Sequence, residues 1–191
     1  MARPTVDLFL SVSAAPPPPP IVVCLRAPEA RDLAVLTALR NDARLQRLLM
    51  IKPGRHSRAQ VTAWIQRRTS DPNGAFFVVA HDASDAACGF VQLTNIERVH
   101  GVADIGICLA ASMRGRGVAT AALRALEERA RREFELRKLT LRVLTANRRA
   151  VAFYLKSGFR EVGVLRRHVL QGSKCCDVLL MEKFLRRGGR A

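Results

Sequence analysis

The chain has 191 residues, 49% of them apolar, which is material for one globular core and not for two. Its 32 Lys and Arg (27 Arg, 5 Lys) against 16 Asp and Glu give a net charge of +16, so the surface attracts polyanions such as RNA, the ribosome, acidic proteins or a phosphate-bearing cofactor. Charge speaks to association and not to fold, and with 5% aromatics and no basic helix interleaved with them, a dedicated nucleic-acid reader is disfavoured.

Residues 1–20 end in the proline run Pro16–Pro20 and read as an extended tail. The same prolines keep the uncharged stretch Leu8–Leu25 from spanning a membrane as a helix, and Asp7 interrupts what little resembles a secretory leader. The five cysteines, Cys24, Cys88, Cys108, Cys175 and Cys176, are odd in number and lack C-x-x-C or Cys/His ligand spacing, so no metal is expected and a reducing cytoplasm suits them. From Ile21 the pattern turns regular. Ile21–Leu25 reads as a strand and Pro28–Asn41 as a helix, broken by Lys52, Pro53 and Gly54. Ser57 caps a helix over Arg58–Arg68, with Val61, Trp64 and Ile65 on one face. Ala75–Ala80, Cys88–Asn95 and Val102–Leu109 make an antiparallel meander. Val118, Ala122, Leu126 and Ala130 recur at steps of four on the next helix, and Lys138–Thr145 is strand-like. Asn147 caps a helix whose apolar face is Ala150, Val151, Tyr154 and Leu155, with Gly158 as its stop. Strands Val162–Leu170 and Asp177–Phe184 close a hairpin around Gly172. The domain is therefore 21–186, followed by a basic tail, 187–191.

The run Arg114-Gly115-Arg116-Gly117-Val118-Ala119 sits between a strand and a helix, where backbone N–H groups and the helix dipole converge on one point. Such a point attracts an anion, and two glycines let the anion come close. The alternative is a tight turn with solvated arginines. No Gly-Lys-Ser/Thr ending makes it a Walker A loop, and Thr120 in the third glycine position, with no acid closing the next strand, speaks against a Rossmann fingerprint.

Arg114-x-x-Gly117-x-Ala119 resembles the acyl-CoA loop of the GNAT N-acetyltransferases, and Asn147-x-x-Ala150-x-x-x-Tyr154-x-x-x-Gly158-Phe159 resembles the segment that follows it in that family. The likeness covers about residues 21–184. Through Leu39-Arg40-Asn41-Asp42, Gly89–Leu93 and the closing hairpin it is most similar to the ribosomal-protein, spermidine and amino-sugar branch. It implies an α/β domain with a mixed, mostly antiparallel sheet flanked by helices and splayed at the cofactor cleft. It also implies acetyl-CoA as acyl donor and direct attack by an amine in a ternary complex, with no acetyl-enzyme. Arg114, Gly115, Arg116, Gly117, Val118 and Ala119 would then hold the cofactor's phosphates. Ile107 and Leu109 would pair its arm through their backbone, with Asn147 bonding the same arm.

Tyr154, the one tyrosine, follows Asn147 by about two helical turns, and the resemblance assigns it to protonating the departing thiolate. A half-buried structural tyrosine is the competing reading. Asp104, and after it Glu97, are the carboxylates nearest the cleft for a general base, although strand alternation equally allows Asp104 to be a solvated edge charge. Cys108 reads as packing and not as a nucleophile. The acceptor is an amine, either a small molecule or a protein N-terminus. A homo-oligomer and a ribosome contact are compatible with this, and a basic RNA- or ribosome-binding module without turnover is the rival reading.

Overall fold

The computed structural model describes residues 22–185, so the proline-run tail, Ile21 and the basic C-terminal segment lie outside the described residues. In chain order the elements are β1 (Val23–Arg26), a 3₁₀ turn (Ala30–Asp32), α1 (Leu33–Asn41), α2 (Ala43–Leu48), α3 (Arg58–Thr69), β2 (Ala75–His81), β3 (Ala87–Glu97), β4 (Val102–Leu109), a second 3₁₀ turn (Ala111–Met113), α4 (Val118–Arg132), β5 (Lys138–Leu144), α5 (Arg148–Lys156), β6 (Arg160–Gln171) and β7 (Lys174–Phe184). Among the described residues no helix is long and apolar enough to cross a membrane.

Three local features differ from the sequence expectation. The first helix is α-helical only from Leu33, because Glu29 stands in extended backbone and donates its N–H to Asp32 at 2.7 Å, which builds a 3₁₀ turn first. Asp42 then leaves helical geometry and caps α2, an element the periodicity does not announce, by accepting from the N–H of Arg44 at 2.8 Å and of Leu45 at 3.0 Å. Leu155 is 46% exposed: α5 buries the line through Tyr154, and the next residue lies about 100° further round. The expected cap of α3 is a reciprocal box, Gln60 N–H to Ser57 Oγ and Ser57 N–H to Gln60 Oε1.

The seven strands form one sheet in the order β1-β2-β3-β4-β5-β7-β6, antiparallel everywhere except between β4 and β5. That parallel seam is short: only Val102, Ala103 and Asp104 pair, with Lys138, Leu139 and Thr140. Beyond it the two strands diverge. On one face α4 buries Val118, Ala122, Leu126 and Ala130, and α5 buries Tyr154, in a core shared with Val91, Ile105, Leu141 and Met181. On the other face α1 and α3 cover Phe76, Val78, Phe90 and Cys108. There Trp64 meets Phe76 and Phe90 edge-on at 5.2 and 5.4 Å, each such pair adding about 0.5–1.5 kcal/mol beyond its buried area. Gly89 lets β3 lie tight against the end of β4; a Cβ there would sit 2.2 Å from the Cys108 carbonyl oxygen.

Arg26 ties the first third of the chain together. It grips Asp32 with two bonds (2.7 and 2.9 Å) and reaches Asp85 in the β2–β3 turn at 2.6 Å. Burial of Asp32 opposes its ionisation, but the bonds from Arg26 and the Glu29 N–H, with the charges of Arg26 and Arg31, outweigh it and hold the carboxyl below the ordinary carboxylate range. The stabilisation is present above that range and disappears as pH falls through the lowered native value. Asp32→Asn is expected to cost roughly 2 kcal/mol in denaturant unfolding at pH 7, because it removes the buried carboxylate's charge-assisted bonds to Arg26 while Asp85 still pairs that guanidinium, and the gap to wild type is expected to shrink in acid. Equal stabilities at pH 7 would remove this ion pair from the account.

Candidate functional site

Divergence of β4 from β5 leaves a strand edge without a neighbour. Ala110 donates its N–H to the Cys88 carbonyl at 2.9 Å, so in this antiparallel pair the backbone groups of Ala110, Cys108 and Gly106 face β3. Those of Ile105, Ile107 and Leu109 alternate to the other edge, where β5 has already turned away. Ile107 and Leu109 thus present main-chain donors and acceptors to the splay, and the Leu109 carbonyl takes one bond from Arg114 Nη2 at 3.4 Å.

The chain leaves β4 through the Ala111–Met113 turn and enters the glycine loop. Gly115 (φ +76°) and Gly117 (φ +78°) adopt the left-handed backbone that side chains resist, and a Cβ on either would have nothing within 4 Å, so the loop borders open space. The first intrahelical bond of α4 is Ala121 N–H to Gly117 O. From Gly115 to Thr120, therefore, the N–H groups have no backbone acceptor among the described residues. Val118 is fully buried and fixes the helix start, Ala119 is half-buried, and Arg116 is exposed beside the open N–H groups while Arg114 folds back toward β4. Open N–H groups at a helix N-terminus with a cation beside them are an arrangement that favours an anion.

Asn147 caps α5 with Oδ1, which accepts from the Ala150 N–H at 3.3 Å, so its side-chain amide N–H₂ remains available. Two turns on, Tyr154 is 8% exposed and packs edge-on against Phe159 at 5.4 Å. Its hydroxyl has no hydrogen-bond partner among the described residues, and burial pushes the phenol up to about 12, so it is protonated at neutral pH.

The carboxylates are spread out. Asp104 lies at the closed end of the splay, where Thr140 Oγ1 and Asn95 Nδ2 donate to its two oxygens. Glu97 is exposed at the end of β3, and Asp42 is engaged in capping α2. Cys108 faces the α1–α3 layer at 4% exposure; burial pushes its thiol up to about 12, with Asp42 adding to the shift and Arg114 and Arg40 opposing it. Gln92, which sequence reasoning passed over, shares that face. It lies over Gly106, and its buried Oε1 has no partner among the described residues. The available signal is a polar residue amid the apolar run of β3, paired with a glycine on β4. Across this face the tip of the β6–β7 hairpin reaches back, and Gln171 Nε2 donates to the Arg47 carbonyl at 2.6 Å. A hollow of about 710 Å³ between α4 and the end of β7 lies elsewhere, and Lys183 within it is already held by Glu127 and the Ser157 carbonyl, so size alone does not mark the site.

Residues 23–160 match the acetyltransferase (GNAT) domain family. The chain is 30% identical over 143 residues to the spermidine N(1)-acetyltransferase of Escherichia coli K12, covering 75% of each chain. It is 29% identical over 150 residues to YdaF of Bacillus subtilis, named as a candidate ribosomal N-acetyltransferase, covering 75% of this chain and 81% of that one. Among solved structures it is similar to spermidine N-acetyltransferase from Vibrio cholerae in complex with CoA and spermine, with TM-score 0.78 and 26% identity over 85% of this chain and 95% of that chain.

The thiols supply a check on this geometry. Alkylation of the native protein at pH 8 followed by peptide mass mapping is expected to modify exposed Cys175 first and to leave buried Cys88 and Cys108 intact until denaturant is added. Rapid native modification of Cys108 would mean that the α1–α3 layer does not seal β4 as described.

Proposed function

The chain belongs to the GNAT acetyltransferase family, and from that premise we propose that it transfers the acetyl group of acetyl-CoA to a primary amine by direct attack within a ternary complex. The observation that carries the reading is the conjunction at one end of β4 of an unpaired strand edge and a glycine loop with free N–H groups. A pantetheine arm can add to that edge as a strand would, while the N–H groups from Gly115 to Ala119 and the Arg116 charge receive its pyrophosphate. Arg114 supports the loop from the β4 side, and the free amide of Asn147 offers the arm one further bond.

In the step itself the amine nitrogen forms a bond to the thioester carbon and the carbon–sulfur bond breaks. Tyr154 gives its phenolic proton to the departing thiolate and recovers one from solvent. With burial pushing the phenol up to about 12, Tyr154 carries the proton it donates at neutral pH. The proton lost by the amine goes to Asp104, directly or through water, and Gln92 Oε1 is a free acceptor to orient the amine's N–H. With Cys108 buried and protonated, an acetyl-enzyme on that thiol is disfavoured.

Relatives named for spermidine raise a polyamine as acceptor. A net charge of +16, with Asp42, Glu97 and Asp104 standing apart, weighs against a polycation and toward a neutral or anionic amine, including a protein N-terminus. Five free thiols fit a reducing, cytoplasmic setting.

Two measurements test the reading. Gly117→Asp forces a side chain and a like charge into the cradle at a positive φ, and calorimetry is expected to show CoA affinity reduced at least about tenfold with the fold retained. Undiminished affinity in the folded variant would refute the cradle. Tyr154→Phe keeps the ring and removes the proton donor, so kcat and kcat/KM are expected to fall together by roughly 10²-fold with CoA affinity unchanged. In the wild type the alkaline limb set by Tyr154 lies near its raised value of about 12, so kcat is expected not to decline between pH 8 and 10 on its account. Near-normal kcat in Tyr154→Phe would make the residue structural.

A further inference from the structure

The side chains of Arg40 and His56 line one pocket in the α1–α3 layer, and each has a buried nitrogen, Nε and Nε2, with no hydrogen-bond partner among the described residues. The pocket is about 230 Å³ and is walled by Arg40 at the end of α1, His56 in the loop before α3, and Gln60, Trp64 and Arg67 on α3. Arg40 lies 4.8 Å over the Trp64 ring, and no carboxylate lines the pocket. Burial and the charges of Arg68 and Arg67 hold the Arg40 guanidinium below its ordinary value. None of these three arginines forms an ion pair among the described residues. A half-buried guanidinium with like charges beside it and no acidic partner is costly without an anion and favourable around one.

The walls are built to hold this arrangement. Buried Gln46 donates to the Arg40 carbonyl (2.6 Å) and the Gly54 carbonyl (2.7 Å) and accepts from the Gly54 N–H, pinning the 49–57 loop to the end of α1. Asn41 exchanges two bonds with the His56 backbone, which sets His56 opposite Arg40. The volume suits a terminal group with a few waters, at about 30 Å³ of liquid each, and is below the roughly 300 Å³ at which pockets for whole drug-sized ligands begin. The pocket also stands beside the reacting strand. The α1–α3 layer that holds it packs over Phe90 of β3 and Cys108 of β4, on the sheet face opposite α4, so an amine approaching the splay from that side passes this layer.

We propose that the Arg40–His56–Trp64–Arg67 pocket is an oxyanion subsite and that the acceptor is an amine carrying a carboxylate, which this subsite holds while the amine reaches β4. The substrate half of the proposal rests on the acyl-transfer reading; the anion half does not.

Thermal midpoints of the full chain in saturating CoA, which keeps added anion off the glycine loop, are to be followed in sodium sulfate against sodium chloride at matched ionic strength. A saturable rise is expected in the wild type. The half-saturating sulfate concentration is expected to increase at least about tenfold in Arg40→Gln and in the exposed-site variant Arg67→Gln, and to stay unchanged in Arg131→Gln, which lines a different hollow. In the acceptor arm, CoA thiol release is compared for 6-aminohexanoate and pentylamine. The carboxylated amine is expected to show at least about tenfold higher kcat/KM, an advantage lost in Arg40→Gln, and sulfate is expected to raise its KM alone. The same sulfate response in all four proteins overturns the subsite. An Arg40-dependent response without preference for the carboxylated amine overturns the substrate assignment and gives the pocket to a free inorganic anion. Thiol release with neither this pair nor any other amine refutes acyl transfer, and with it the substrate half, while the sulfate response still decides the subsite.

Discussion

Everything the site can do follows from how briefly β4 and β5 stay paired. Three residue pairs join them, and the sheet is otherwise two half-sheets, β1 to β4 and β5 with β7 and β6. Each half is closed by its own antiparallel ladder, so neither strand can drift across to repair the gap. Gly89 holds the end of β4 against β3, and β7 pairs the whole of β5. Unpaired main-chain groups on a central strand are normally an invitation to aggregation or a cost to stability. Here they lie next to the helix terminus with free N–H groups, and in the reading proposed above one extended, phosphate-bearing molecule would meet both deficits.

The arginines divide into two populations. Arg26 is fully partnered by Asp32 and Asp85, and Glu182 similarly draws Lys138 and Arg160 together across β5, β7 and β6. These pairs fasten elements to each other. Among the described residues Arg40, Arg67 and Arg68 have no such counterpart, nor does exposed Arg116 at the loop.

Element existence was legible from periodicity and punctuation: the meander β2 to β4, the helix on Val118, Ala122, Leu126 and Ala130, and the caps Ser57 and Asn147 all stand where the residue pattern puts them. The loop and its two glycines were legible because positive φ and a helix start leave a local signature. What escaped was non-local. A six-residue helix such as α2 is too short to show a period, and its start is signalled only by Asp42 leaving the helix. Trp64 reads as core from spacing, and it is core; that Arg40 lies over its ring comes from the packing of α1 against α3, which the pattern within either helix does not show. Gln92 needed its partner Gly106 to be seen as an unpaired acceptor.

The bond from Gln171 to the Arg47 carbonyl joins the hairpin of one half-sheet to the helix layer over the other. It is a fastening between the two half-sheets beyond the three-pair seam, made by residues 124 apart in the chain, and it lies on the face of the sheet that α1 and α3 cover. A frame tied at a second point hinges less freely about the first, so the angle at which β4 and β5 part is braced from outside the seam as well as from within it.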